Sequence, residues 1–138
     1  MYESPQRIRF NDVDAAGIVY FPRFFHLCHN AFEEFFTAVA PYSYPTLIQQ
    51  HRRGFPTVHV EGDFKRPLRY GDTAMVEVAV ARLGNSSARF RYRMRRDGES
   101  EVAFEAQVVT AFMDLDTGRA VPLPDDLKAV LGRHRVDG

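Results

Sequence analysis

Asp12 and Asp14 stand two residues apart in the stretch NDVDAAGIVYFPRFF, just ahead of a run with helical spacing and no polar residue at its start. A carboxylate in such a place can deprotonate water or attack an acyl carbon directly. The Ala15-Ala16-Gly17 bend lets the chain fold back at little steric cost, bringing an acid toward the helix start. The alternative is that both acids make side-chain turns to nearby backbone, as loop aspartates do. With Pro22 as the first helical residue, Phe21 occupies the cap position, where it offers no acceptor to the orphan amides. The N–H groups of Phe21, Arg23 and Phe24 then lie at the positive end of the helix dipole, open to a ligand oxygen, to water or to the preceding loop. If the ligand is a thioester or ester carbonyl, these amides stabilise an oxyanion, and one such donor is worth roughly 3 kcal/mol in the transition state.

The surrounding elements follow from periodicity. Gln6 to Phe10 reads as a short strand with Ile8 and Phe10 on one side. From Pro22 to Ala40 the residues Phe24, Cys28, Ala31, Phe32, Phe35 and Val39 form one broad apolar stripe, opposite His26, Asn30, Glu33 and Thr37. A stripe that wide predicts a helix wrapped by a sheet. Pro45 to Arg53 predicts a short helical turn. Alternation of period two then marks four strands, the first with Thr57, His59, Glu61, Asp63 and Lys65 on one face and Val58, Val60 and Phe64 on the other. Arg89, Arg91, Arg93 and Arg95 form a comb, as do Glu99, Glu101 and Glu105. A three-residue loop Arg96-Asp97-Gly98 with a left-handed glycine puts both combs on one face and pairs Arg93 with Glu101 and Arg89 with Glu105. The last strand is expected to reach Met113, and Asp125 to Gly132 to form a terminal helix. The order of elements is that of an α+β fold, and the length suits one domain over residues 1–138.

Composition narrows the partners. With 18 basic and 18 acidic residues, no overall field draws nucleic acid or an anionic membrane, so anion binding has to be local. No stretch approaches the roughly 20 apolar residues of a membrane span, and MYESPQRIRF lacks the apolar core of a signal peptide, so a cytoplasmic location is expected. Cys28 is the only cysteine and the five histidines are scattered, which points away from disulfides and from a metal centre. Cys28 sits mid-stripe and reads as a core residue rather than a nucleophile.

The stretch FNDVDAAGIVYFPRFF resembles the signature of the 4-hydroxybenzoyl-CoA thioesterase family of hotdog-fold proteins: an aromatic, Asp-x-Asp, two small residues, Gly-Ile/Val-Val-Tyr and the start of the long helix. TVHVEGDFKRPLRYGD at Thr57 to Asp72 extends the likeness with a strand, an Arg-Pro bend and a Gly-Asp turn. LCHNAFE at Leu27 to Glu33 is similar to the 1,4-dihydroxy-2-naphthoyl-CoA thioesterase branch. The resemblance implies a hotdog fold, one long central helix wrapped by a five-stranded antiparallel sheet, and hydrolysis of an acyl-CoA with no cofactor. It implies Asp14 as the catalytic carboxylate, nucleophile or general base, with the Phe21 N–H binding the thioester carbonyl and Asp12 in a structural role. It also implies a homodimer, or a homotetramer built as a dimer of dimers, with sites between protomers.

On the substrate side, His29 matches a polar, commonly acidic, helix position facing the acyl pocket. An aromatic or hydroxyaromatic acyl group is therefore expected, with Tyr20, Phe25, His29 and His59 as substrate-binding residues. The turn Gly84-Asn85-Ser86-Ser87 lacks the basic residues of the hydroxybenzoyl branch, which leaves Lys65, Arg66 and Arg69 near Pro67 as candidate contacts to the CoA phosphates. Two other readings stand beside this one: a thioesterase for short or medium aliphatic acyl groups, and a non-catalytic acyl-binding domain on the same fold. Hotdog dehydratases resemble a motif with histidine in the corresponding loop, and no histidine occurs between Arg7 and Phe25.

Overall fold

In the computed structural model, which describes residues 2–137, the apolar stripe of one long helix determines the layout. That helix, α1 (Phe21–Val39), follows β1 (Tyr2–Arg7) and a 3-10 turn (Phe10–Asp12). After it come α2 (Tyr44–Gln49), β2 (Arg53–Gly54), β3 (Thr57–Phe64), β4 (Thr73–Leu83), β5 (Ser87–Arg96), β6 (Val102–Ala111), β7 (Met113–Asp114), β8 (Arg119–Ala120) and α3 (Asp125–Gly132). Five strands form an antiparallel sheet in the order β1-β4-β5-β6-β3 that wraps α1, the hotdog arrangement; β2, β7 and β8 make a small second sheet. Among the described residues no helix is long and apolar enough to cross a membrane.

The core lies between α1 and the inner face of the sheet. Phe24, Leu27, Cys28, Ala31, Phe32, Phe35 and Phe36 are buried on the helix, against Val76, Val78 and Val80 of β4, Phe90, Tyr92 and Met94 of β5, and Phe104 and Ala106 of β6. Phe90 is the centre of this layer, with its ring 4.9 Å from Phe32 and 6.0 Å from Phe55. α2 is capped by Ser43, whose hydroxyl accepts from the Thr46 N–H at 3.2 Å. α3 has the bounds that its spacing predicts.

Three expectations need correction. The first strand runs from Tyr2 to Arg7, not from Gln6 to Phe10. Ile8 is buried, but the chain enters the 3-10 turn at Phe10, whose ring is 77% exposed and lies 5.9 Å from that of Tyr70. Only Glu105 of the acidic comb meets the arginine comb in the sheet, and the register is displaced by four residues: Arg93 pairs with Glu105 and Arg89 with Val109, while Arg95 lies opposite Val102 and Glu99 and Glu101 precede β6. The reason is a loop longer than three residues together with a bulge after Met94. The start of that loop is tied to β4 and its approach, since the Asp97 N–H donates to Thr73 at 2.8 Å and Arg96 Nε to Asp72 at 3.0 Å. The last long strand ends at Ala111, and Met113 belongs to the small sheet.

β3 is the last strand in the order and is exposed on both faces along its whole length. Gly62 on this strand has a packing purpose. A Cβ there would lie 3.1 Å from the Phe104 ring and 3.2 Å from the Phe25 ring, so its absence lets the edge strand close onto α1. Truncating the central aromatic, Phe90→Ala, is expected to cost about 3–5 kcal/mol, read as a lowered urea midpoint with an unchanged slope.

Candidate active site

Asp12 is 4% exposed and takes part in a closed set of bonds. Its Oδ2 accepts from the Arg9 N–H at 2.8 Å, and its Oδ1 from Arg23 Nε and Nη2 at 3.1 and 2.8 Å. The Asp12 carbonyl accepts from the Tyr20 N–H at 3.0 Å. Between these two residues a small hairpin closes at Val13 and Val19 and turns at Gly17, whose φ of 76° suits glycine. The hairpin docks on the Leu68–Tyr70 segment, with Val19 N–H to Leu68 at 2.8 Å and Tyr70 N–H to Gly17 at 3.1 Å. Asp14 is held in this hairpin by both its backbone groups, yet its side chain is exposed. Oδ1 accepts from the Ala16 N–H at 2.9 Å, and among the described residues Oδ2 has no partner.

The helix start lies one residue earlier than proline placement suggests. Tyr20 is the cap, Phe21 the first helical residue and Pro22 the second; proline fits either place because neither N–H has an intrahelical partner. No side chain caps the helix. The Arg23 N–H, expected to be open, instead donates to the Tyr20 carbonyl at 2.8 Å. The Phe21 N–H has no acceptor among the described residues, and the Phe21 ring is 60% exposed.

Two recesses flank this end of α1. One, of about 310 Å³, is lined by Ile18, Val19, Phe21, Phe24 and Phe64 with Lys65 and Arg66 at its edge. The other, of about 300 Å³, lies between α1 and the sheet, with Phe25, Cys28, His29 and Phe32 on one side and Val60, Tyr92, Val108 and Thr110 on the other. Phe25 is one helical turn beyond Phe21, about 6 Å along the axis, and His29 two turns, about 12 Å. His29 Nε2 lies 3.1 Å from Glu33 on the next turn.

Of the other predicted contacts, Tyr20 lies outside this second cavity, its ring 5.3 Å from that of Phe21. His59 projects from the opposite face of β3 and meets Glu61 at 3.0 Å, so it does not line the cavity in a single chain. Lys65 pairs with Glu105 at 3.4 Å and Arg66 with Glu101, all on exposed or half-exposed side chains. Arg69 has no ion pair among the described residues, and its N–H donates to Asp72 at 2.8 Å. Burial raises the Cys28 thiol well above its ordinary range, which keeps it protonated and unsuited to nucleophilic attack.

Comparison with known proteins fits this geometry. Residues 8–131 match the model of the thioesterase-like superfamily. The chain belongs to that superfamily. It is 31% identical over 127 residues to the 1,4-dihydroxy-2-naphthoyl-CoA hydrolase of Synechococcus elongatus, with 92% of each chain covered. It is 30% identical to the hydrolase of the same name from Nostoc punctiforme, covering 94% of this chain and 86% of the relative. The fold superposes on the 1,4-dihydroxy-2-naphthoyl-CoA thioesterase from Synechocystis with a TM-score of 0.85 at 23% identity, over 95% of each chain.

Periodicity alone overlooks part of the cavity of this member of the thioesterase-like superfamily. Tyr92 belongs to an inward row, Phe90, Tyr92 and Met94, that alternates with the conspicuous arginine comb. A single phenol on an otherwise apolar face is the signal that would have found it. Removing the buried acid and the exposed one should have opposite consequences. Asp12→Ala leaves the Arg23 charge without its partner and is expected to destabilise the fold by about 3 kcal/mol. Asp14→Ala, on an exposed side chain, is expected to stay within about 0.5 kcal/mol of the parent in the same denaturant titration.

Proposed function

We propose that the chain hydrolyses an aromatic acyl-CoA thioester to the free acid and CoA. The observation that carries this reading is the unpartnered Phe21 N–H, which directly follows the hydrogen-bonded hairpin that carries the exposed Asp14 carboxylate and is followed along α1 by an aromatic cavity. The two curated relatives named 1,4-dihydroxy-2-naphthoyl-CoA hydrolase support the aromatic acyl class.

In the proposed reaction the thioester carbonyl accepts from the Phe21 N–H, and the developing oxyanion gains from the helix dipole. Asp14 Oδ2, the oxygen free of the Ala16 bond, either attacks the carbonyl carbon or removes a proton from the attacking water. On the first route a mixed anhydride forms and CoA leaves as thiolate; water then cleaves the anhydride and restores the carboxylate. On the second route water adds directly, the tetrahedral intermediate expels the thiolate, and the Asp14 proton passes to it. The acyl group extends past Phe25 toward His29, and Lys65, Arg66 and Arg69 bind the CoA phosphates.

The exposed β3 edge fits a second copy of the chain. Val58, Val60 and Phe64 are exposed there with Phe21 and Tyr20 beside them, an apolar patch on a strand with one free side. A homodimer joined along β3, alone or paired into a tetramer, covers this patch and brings a partner surface to the Phe21 end. A cytoplasmic location fits the one buried thiol.

Thiol release from benzoyl-, 4-hydroxybenzoyl-, 1,4-dihydroxy-2-naphthoyl- and hexanoyl-CoA should show an aryl preference. Asp14→Asn should lower turnover by roughly 10² to 10⁴ fold with acyl-CoA binding retained. Binding without hydrolysis by the parent protein would sink the enzymatic reading and leave an acyl-binding domain. Light scattering should give two or four chains per particle; a monomer at working concentration would refute the shared-edge arrangement.

A further inference from the structure

Four polar groups on the cavity between α1 and the sheet are committed, exposed or weak. Thr110 Oγ1 donates to the Ala88 carbonyl at 3.0 Å. His29 is an exposed residue paired with Glu33, and Thr57 is exposed. The Cys28 thiol is a weak donor. Tyr92 differs from all of them. It is 3% exposed, lines the cavity and has no hydrogen-bond partner among the described residues. Its neighbours on the inward face of β5 are Phe90 and Met94, and Ala106 is its cross-strand partner on β6. Its hydroxyl opens onto the cavity rather than being sealed in the core, and a phenylalanine there would fill almost the same volume without offering a polar group to a ligand. Burial also holds the phenol protonated, well above its ordinary pKa, so it is available as donor as well as acceptor at any working pH.

We propose that Tyr92 is a specificity-determining residue whose hydroxyl hydrogen-bonds a ring hydroxyl on the side of the acyl group remote from the thioester. The inference rests on the aryl-CoA reading above and narrows it to hydroxylated aromatic acyl groups. Tyr92 is inside the cavity and His29 at its exposed margin, so the two residues read different parts of the ring. A site with a buried hydroxyl to satisfy rejects an analogue that lacks the matching group, because the protein's own hydroxyl is then left unpaired.

The test compares paired substrates that differ in ring hydroxyls: 4-hydroxybenzoyl- against benzoyl-CoA, and 1,4-dihydroxy-2-naphthoyl- against 2-naphthoyl-CoA. The readout is the ratio of kcat/KM within each pair for the parent protein and for Tyr92→Phe. In at least one pair the parent should favour the hydroxylated member. Tyr92→Phe should lower that ratio roughly 10- to 100-fold, while kcat/KM for the unhydroxylated member stays within about threefold. An unchanged ratio, or an equal loss on both members of each pair, overturns the proposal and leaves Tyr92 a packing residue. The same pairs are titrated by equilibrium binding onto Asp14→Asn and onto the Asp14→Asn/Tyr92→Phe double variant. If the parent hydrolyses none of the four but the binding ratio depends on Tyr92, the thioesterase reading fails and the hydroxyl contact stands. If neither hydrolysis nor a Tyr92-dependent binding ratio is found, both fail.

Discussion

The buried carboxylate of Asp12 is the interaction on which the functional end of the molecule depends. Taken out of water, a carboxylate is tolerable only when hydrogen-bonded, and here one backbone N–H meets Oδ2 and the Nε and Nη2 groups of one guanidinium meet Oδ1. Those donors come from the approach to the 3-10 turn and from the first turn of α1, so satisfying the charge fixes the loop relative to the helix. The magnitudes explain the missing cap. A side-chain N-cap is worth about 1 kcal/mol, whereas breaking a buried ion pair costs about 3–5 kcal/mol. With the helix start held by the Asp12–Arg23 pair, a capping side chain is dispensable, and the Phe21 N–H stays free.

A second constraint comes from geometry. A helix with so broad an aromatic stripe needs cover over much of its circumference, and one twisted sheet supplies it only as far as its last strand. β4, β5 and β6 lie inside the sheet and present buried inner rows; β3 has β6 on one side and nothing on the other. The side chains nearest that open edge are therefore both apolar and exposed. The cavity under β3 follows from the same mismatch. Gly62 lets the Phe25 and Phe104 rings meet the strand at one point, while Val60 stands against His29 and Tyr92 across a gap.

Much of this was legible in the sequence, because period and punctuation are local. The α1 stripe, the alternation of β3 to β6 and the bounds of α3 follow from spacing, whereas of the two combs only Arg93 and Glu105 meet on one face of the sheet. The register was not legible. Loop length is set by bonds to residues distant in the chain, Arg96 to Asp72 and Asp97 to Thr73, and the bulge after Met94 breaks the parity that pairs the combs, setting Arg95 opposite Val102. The opening motif showed two acids near a helix start without showing which would be buried. That depends on Arg23, eleven residues beyond Asp12, turning back across the loop. Tyr92 was hidden for another reason: a tyrosine in an inward row has the pattern of core, and only the cavity beside its hydroxyl distinguishes it from a phenylalanine.

The balance of charge bears on how a neutral chain could hold a polyanion such as CoA. Equal numbers of acids and bases leave no long-range attraction, so local groups have to supply the binding. Lys65 and Arg66 sit at the edge of the Phe21 recess in pairs with Glu105 and Glu101. Exposed pairs of this kind contribute about 0–1 kcal/mol, less than the roughly 1.5–3 kcal/mol of a hydrogen bond to a charged group. Giving up either carboxylate partner for a phosphate therefore costs little, and the pairs hold the cations in place without committing them. Asp12 and Arg23 show the opposite choice on the other side of the same loop: their pair is short and largely buried, and it serves the fold. Burial, rather than residue type or sequence proximity, separates the charges that build the site from those free to meet a ligand.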